Sequence, residues 1–180
     1  MGLTRFVLES SIKFELLPGR NDAKLCQTDI MLPVNGPIAP FSKSYLIDKG
    51  DLETEFISSD FECRLSSESG NKKVIEITQA QDLAVTGDKA LTLKEIAYIR
   101  NHYSETGGSF DHTWSIPTER IVFEVKFQES DPPTDINYDI LLGNTKVDHK
   151  YCEVQRTENS IIINFSEHLD RTKLVVNWTW

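Results

Sequence analysis

The sequence predicts a mainly β fold: an antiparallel β-sandwich or partly open β-barrel, with one helix closing or connecting an end. Three observations carry this. Apolar and polar residues alternate with period two near the N-terminus, over 121–128 and over 174–180. Polar clusters containing Gly or Pro punctuate these runs, as turns do between strands. A single stretch beginning near residue 92 repeats its apolar residues every three to four positions instead.

In chain order, Phe6, Leu8, Ile12, Phe14 and Leu16 against Val7, Glu9, Ser11, Lys13 and Glu15 give a long first strand with one buried face. Pro18 to Asp22 is a turn, because proline fixes φ while glycine and asparagine tolerate conformations closed to a strand. Gln27 to Leu32 is a short strand, and Pro33, Gly36, Pro37 and Pro40 make 33–40 a loop. Phe41 to Ile47 forms the next strand. Asp48 to Asp51 reads as a hairpin turn in which Gly50 supplies a positive φ, leading into a run through Phe56, Ile57, Phe61, Cys63 and Leu65. Another polar turn over 66–71 precedes a strand from Lys72 to Thr78.

The helix is expected from Thr92, which can cap free amides while Glu95 reaches back from the third helical position. Leu93, Ile96, Ala97, Arg100 and Tyr103 trace its partly apolar stripe, and Gly107 and Gly108 can end the segment. Ile121, Phe123, Val125 and Phe127 then form a strong strand pattern, which Pro132 and Pro133 stop. Strands follow near Tyr138 to Leu142, Tyr151 to Gln155 and Ser160 to Phe165, with a turn at Gly143 and Asn144. A last strand places Leu174, Val176, Trp178 and Trp180 on one side. No charge run, low-complexity stretch or repeat marks a linker, so residues 1–180 are expected to form one domain.

With 28 acidic against 19 basic side chains the formal charge is -9, which disfavours nucleic acid and anionic lipid as partners. No run of 18 apolar residues exists to cross a membrane as a helix. The N-terminus lacks a secretory pattern, and Phe6 stands where a myristoylation signal wants a hydroxyl residue. Cys26, Cys63 and Cys152 lack the close pairing of a structural zinc site and read as free thiols of a cytoplasmic protein.

Neither a phosphate-binding loop nor a dinucleotide fingerprint is present, and no cofactor is implied. The candidate chemistry rests on Asp111, His112 and His149, as an acid-base or metal-assisted hydrolytic set. A carboxylate can orient an imidazole, yet neighbours in an extended strand face opposite ways, so Asp111 and His112 cooperate only within a turn. His102 is a further possible ligand across the glycine loop, and His149 near Cys152 lacks any sign of an oxyanion-stabilising partner.

A second set is aromatic. Tyr103, Phe110 and Trp114 gather around the expected helix-to-strand connection, and Trp178 and Trp180 share a face at the chain end. Each can serve the core, anchor a protein partner or stack on a carbohydrate or other small ligand. The leading expectation is a noncatalytic protein-interaction or assembly domain, with a protein partner or homo-oligomer, that uses an exposed β-edge or these aromatics.

Overall fold

The computed structural model describes residues 5–46, 49–69, 72–80, 89–143, 145–147, 152–165 and 172–180. They form fourteen strands: β1 Arg5–Leu16, β2 Ala23–Pro33, β3 Phe41–Leu46, β4 Asp51–Ile57, β5 Phe61–Ser69, β6 Lys72–Gln79, β7 Leu91–Arg100, β8 Gly107–Trp114, β9 Thr118–Lys126, β10 Asp135–Leu142, β11 Thr145–Lys146, β12 Cys152–Thr157, β13 Ser160–Phe165 and β14 Thr172–Thr179. A seven-stranded main sheet runs β12-β13-β9-β1-β2-β7-β4, a four-stranded sheet runs β11-β10-β14-β8, and a three-stranded sheet runs β3-β6-β5.

Three features correct the sequence expectation. First, no helix occurs among the described residues, and the predicted one is strand β7, paired on both sides with β2 and β4. Its buried residues are Leu91, Leu93, Glu95, Ala97 and Ile99, a period-two set. Glu95 interrupts the apolar alternation that would have announced a strand, and pairing with two neighbours outweighs the apparent cap at Thr92. Tyr103 lies in the connection beyond the strand.

Second, the sheets are three, open and unclosed, rather than a two-sheet sandwich or a barrel, and β1 pairs with β9 in parallel. Third, the strands flanking Gly50 belong to different sheets and make no hairpin, although Gly50 does adopt φ 88°. The run through Phe56 to Leu65 likewise divides, with β4 in the main sheet and β5 in the three-stranded one. Between them Ser58 Oγ accepts hydrogen bonds from the backbone N–H groups of Asp60 and Phe61.

Both smaller sheets cover the same face of the main sheet. Ile12, Phe14, Leu16, Leu25, Phe123, Val125 and Ile163 pack against Ile140, Leu174, Val176 and Trp178 of the four-stranded sheet. Val7, Met31, Leu91 and Leu93 pack against Phe61, Ile75 and Ile77 of the three-stranded sheet. An irregularity between Val7 and Glu9 takes up one extra residue, which keeps Val7 and Ser10 on the same face. Between the two apolar fields the inner face becomes polar: Ser10 stands opposite Asp29, and Gln27 opposite Glu95. All four are buried. The covering layer is split above this belt.

Candidate functional site

The split is a cavity of about 640 Å³, floored by Ser10, Gln27 and Asp29 and walled by β3 on one side and β8 on the other. Both walls are edge strands. β3 pairs only with β6, and β8 only with β14, so each turns its second backbone side toward the gap.

Lys43 reaches down from β3 and places Nζ 3.2 Å from Asp29 Oδ2 and 3.1 Å from Glu95 Oε2. The Tyr45 hydroxyl also donates to Glu95. Asp29 accepts further hydrogen bonds from Ser10 Oγ, at 2.7 Å, and from Gln27 Nε2. A buried charge of either sign is expensive alone, and this set compensates by mutual pairing. Burial works to raise the Asp29 pKa, but Lys43 and the donors from Gln27 and Ser10 outweigh it and hold the carboxyl below its usual range. Burial likewise opposes the charged form of Lys43, and the two carboxylates overcome it and push the ammonium pKa up. Tyr45 is pushed up by burial and by Glu95 and stays a phenol.

Two further groups line this cavity. The Arg5 guanidinium lies 3.7 Å over the Phe41 ring, and its Nε is buried and unsatisfied. Burial lowers its pKa to about 10, with Asp29 acting in the other direction, so it remains a cation at neutral pH. His112 projects inward from β8 against Trp114, with ring centroids 4.6 Å apart. Burial and the Lys43 charge lower its pKa to about 4, leaving a neutral imidazole with a donor and an acceptor facing the cavity.

The residues singled out from sequence are distributed as follows. Asp111 and His112 both lie in β8 and both line the cavity, with side chains on opposite faces of the strand: Asp111 is exposed and ion-paired with Lys173 at 2.9 Å, while His112 projects inward. His149 lies outside the described residues. His102 bonds through Nδ1 to the Lys49 carbonyl, at 2.9 Å. Among the described residues no group of three or more His, Cys, Asp or Glu side chains could hold a metal ion, and none of the three cysteines is in a disulfide. The described residues thus form a β-fold with a buried aromatic cluster and no metal- or disulfide-based catalytic machinery.

That cluster contains the predicted aromatics. Phe14 stacks on Phe110 at 4.3 Å and meets Tyr103 edge-on at 5.7 Å, and Tyr103 lies 5.4 Å from Trp178. Tyr103, Trp114 and Trp178 are buried, and Trp114 Nε1 donates to Ser10 Oγ at 3.3 Å. Tyr103, Phe110 and Trp114 also touch the cavity. Trp180 is half-buried, edge-on to Phe127, with the Arg20 guanidinium 4.7 Å from its ring. The last strand, β14, which carries Trp178 and ends one residue before Trp180, is interior to its sheet rather than an edge.

Sequence reasoning missed Arg5, Gln27, Asp29, Lys43 and Glu95. A signal existed: Gln27 and Asp29 interrupt Ala23, Leu25 and Met31, and Glu95 interrupts Leu91, Leu93, Ala97 and Ile99, each in the phase that faces inward. Polar residues at buried-phase positions of two strands mark a site only once the strands are known to be neighbours.

No family model matches the chain, and no curated protein matches it. Solved structures do. A proposed protease from Parabacteroides distasonis superposes with a TM-score of 0.61 at 8% identity, over 98% of this chain and 40% of its own. Native leukotriene A4 hydrolase from Saccharomyces cerevisiae superposes with a TM-score of 0.53 at 7% identity, over 96% of this chain and 29% of its own. The chain therefore spans two fifths or less of these proteins, and the likeness is one of fold.

Proposed function

We propose that residues 1–180 form a single β-rich domain whose work is noncatalytic: protein interaction or assembly through open strand edges. The observation that carries this reading is the pattern of charge on those edges. An open edge is a template for pairing with another chain, and proteins protect edges with charged side chains. β4 is guarded by exposed Asp51, Glu53 and Glu55, and β5 by Glu62, its Arg64 and Glu68 being ion-paired with Glu76 and Lys73 of β6. By contrast, the outward residues of β3 are Ser42, Ser44 and Leu46, and its one charge, Lys43, is tied to the floor. On β8 they are Ser109, Asp111 and Thr113, with Asp111 neutralised by Lys173. Of these four edges, the two without an unpaired exposed charge are the pair facing the cavity.

The comparisons support the same reading. A fold filling 29–40% of longer solved proteins is one that operates beside other polypeptide. Among the described residues no helix is long and apolar enough to cross a membrane. We place the domain in the cytoplasm, a reading supported by three cysteines that form no disulfide among the described residues. Native mass spectrometry of the freshly isolated chain tests the function: a defined homo-oligomer or stoichiometric protein partner is expected, and Ser44→Lys, a charge placed on the β3 edge, should weaken it at least tenfold. A clean monomer with no protein bound would refute the reading.

A further inference from the structure

The slot between β3 and β8 has the chemistry of one class of guest. Its floor is a seven-stranded sheet and its walls are two strand edges that do not pair with each other. A small-molecule pocket needs side-chain contacts, whereas this one adds two rows of main-chain donors and acceptors, the complement of an extended polypeptide. The six residues of β3 span about 20 Å at a strand's rise of roughly 3.3 Å per residue, an ordinary strand length. The cavity volume of about 640 Å³ falls in the middle of the range for ligand sites.

We infer that this slot binds an extended polypeptide segment of about six residues, inserted between β3 and β8, with a carboxylate of the guest held by Arg5. The guest would pair with both edges and join the three-stranded and four-stranded sheets into one continuous layer over the main sheet. The preference for a carboxylate follows from the local charges. Lys43 is already shared by Asp29 and Glu95, and Lys173 by Asp111. Arg5 is the cavity-lining cation that makes no ion pair with a described residue. Its planar fork of donors matches a carboxylate bidentately. His112 offers a neutral donor or acceptor on the opposite wall, which suits a guest backbone or hydroxyl rather than a second charge.

This inference deepens the edge-binding reading and rests on it. The test uses an isotope-labelled chain and three acetylated, amidated hexapeptides of alternating threonine and valine: one with glutamate at each end, one with glutamine there, and a glutamate version N-methylated at alternate amides. Amide shifts confined to β3, β8 and the floor strands are expected with the first. The glutamine peptide should bind about tenfold more weakly, and the N-methylated one at least tenfold more weakly. Arg5→Gln should weaken the glutamate peptide about tenfold, abolishing its preference over the glutamine peptide, with the melting temperature within a few degrees of the parent. No saturable shifts, or equal binding of the N-methylated peptide, would overturn the inference. So would binding of decanoate without binding of the peptides, which would assign the slot to small carboxylates. A chain that assembles in native mass spectrometry yet ignores the peptides would sink the slot alone, whereas a monomer that ignores them would sink the edge reading as well.

Discussion

Replacing Lys43 by methionine keeps the length and apolar stem of the side chain and removes its charge from between Asp29 and Glu95. The two ammonium–carboxylate separations are 3.2 and 3.1 Å. Each is worth about 5 kcal/mol at an effective dielectric constant of roughly 20. Desolvation of three ions and repulsion between the two carboxylates consume much of that gain, so the parent cluster is close to break-even. Its removal is not. The Glu95 side chain is 1% exposed and that of Asp29 11%, so Lys43→Met leaves two carboxylates buried without a cation. Breaking such a pair costs about 3–5 kcal/mol, the loss expected at pH 7 in urea unfolding. In the variant, burial acts on Asp29 without the opposing Lys43 charge and raises its folded carboxyl pKa, so the folded state binds a proton more tightly than the unfolded one. Its stability therefore recovers as the pH falls, and the gap to the parent narrows between pH 7 and pH 5. Adding Asp29→Asn and Glu95→Gln to Lys43→Met should restore most of the loss, because the three charges act as a unit. A loss below about 1 kcal/mol at pH 7, or a gap that does not narrow toward pH 5, would refute the account of a desolvated, mutually compensated cluster.

Three further outcomes follow from the same geometry. His112 has its folded pKa lowered to about 4 by burial and by Lys43, so the unfolded state takes up a proton first as the pH falls. Stability should drop by up to about 3 kcal/mol between roughly pH 6.5 and pH 4, and His112→Phe should flatten that part of the urea-denaturation profile. Gly108→Ala would bring a methyl group 2.7 Å from the Trp178 ring and 2.8 Å from that of Tyr103. Overpacking of this kind costs about 1–3 kcal/mol, read as a lower thermal midpoint with near-UV dichroism changed at the aromatic bands. Trp178→Ala should cost about 3–5 kcal/mol, softened because the indole Nε1 is buried with no hydrogen-bond partner among the described residues and its removal relieves that deficit.

The sequence alone determined most of the strands, because one-sided burial imposes a period of two that is written into the chain. The first strand, the 121–127 run and the last strand are all found where alternation puts them, with Phe14, Phe123, Val125, Leu174, Val176 and Trp178 inside. The sequence also carried the acidic balance. It failed where local and long-range preferences compete. Thr92 and Glu95 are a plausible helix start, and only the neighbours β2 and β4 make the segment a strand.

Tertiary structure alone decided how the strands divide into three sheets, since alternation reports which face of a strand is buried and not which strand lies beside it. The same limit hid the candidate site. Arg5, Asp29, Lys43, Glu95 and His112 come from five strands spread over more than a hundred positions, and nothing local links them. What joins them is the cost of burying charge: Asp29 and Glu95 interrupt apolar faces because Lys43 descends to meet them, Gln27 donates to Asp29, and that meeting exists only when the chain is folded.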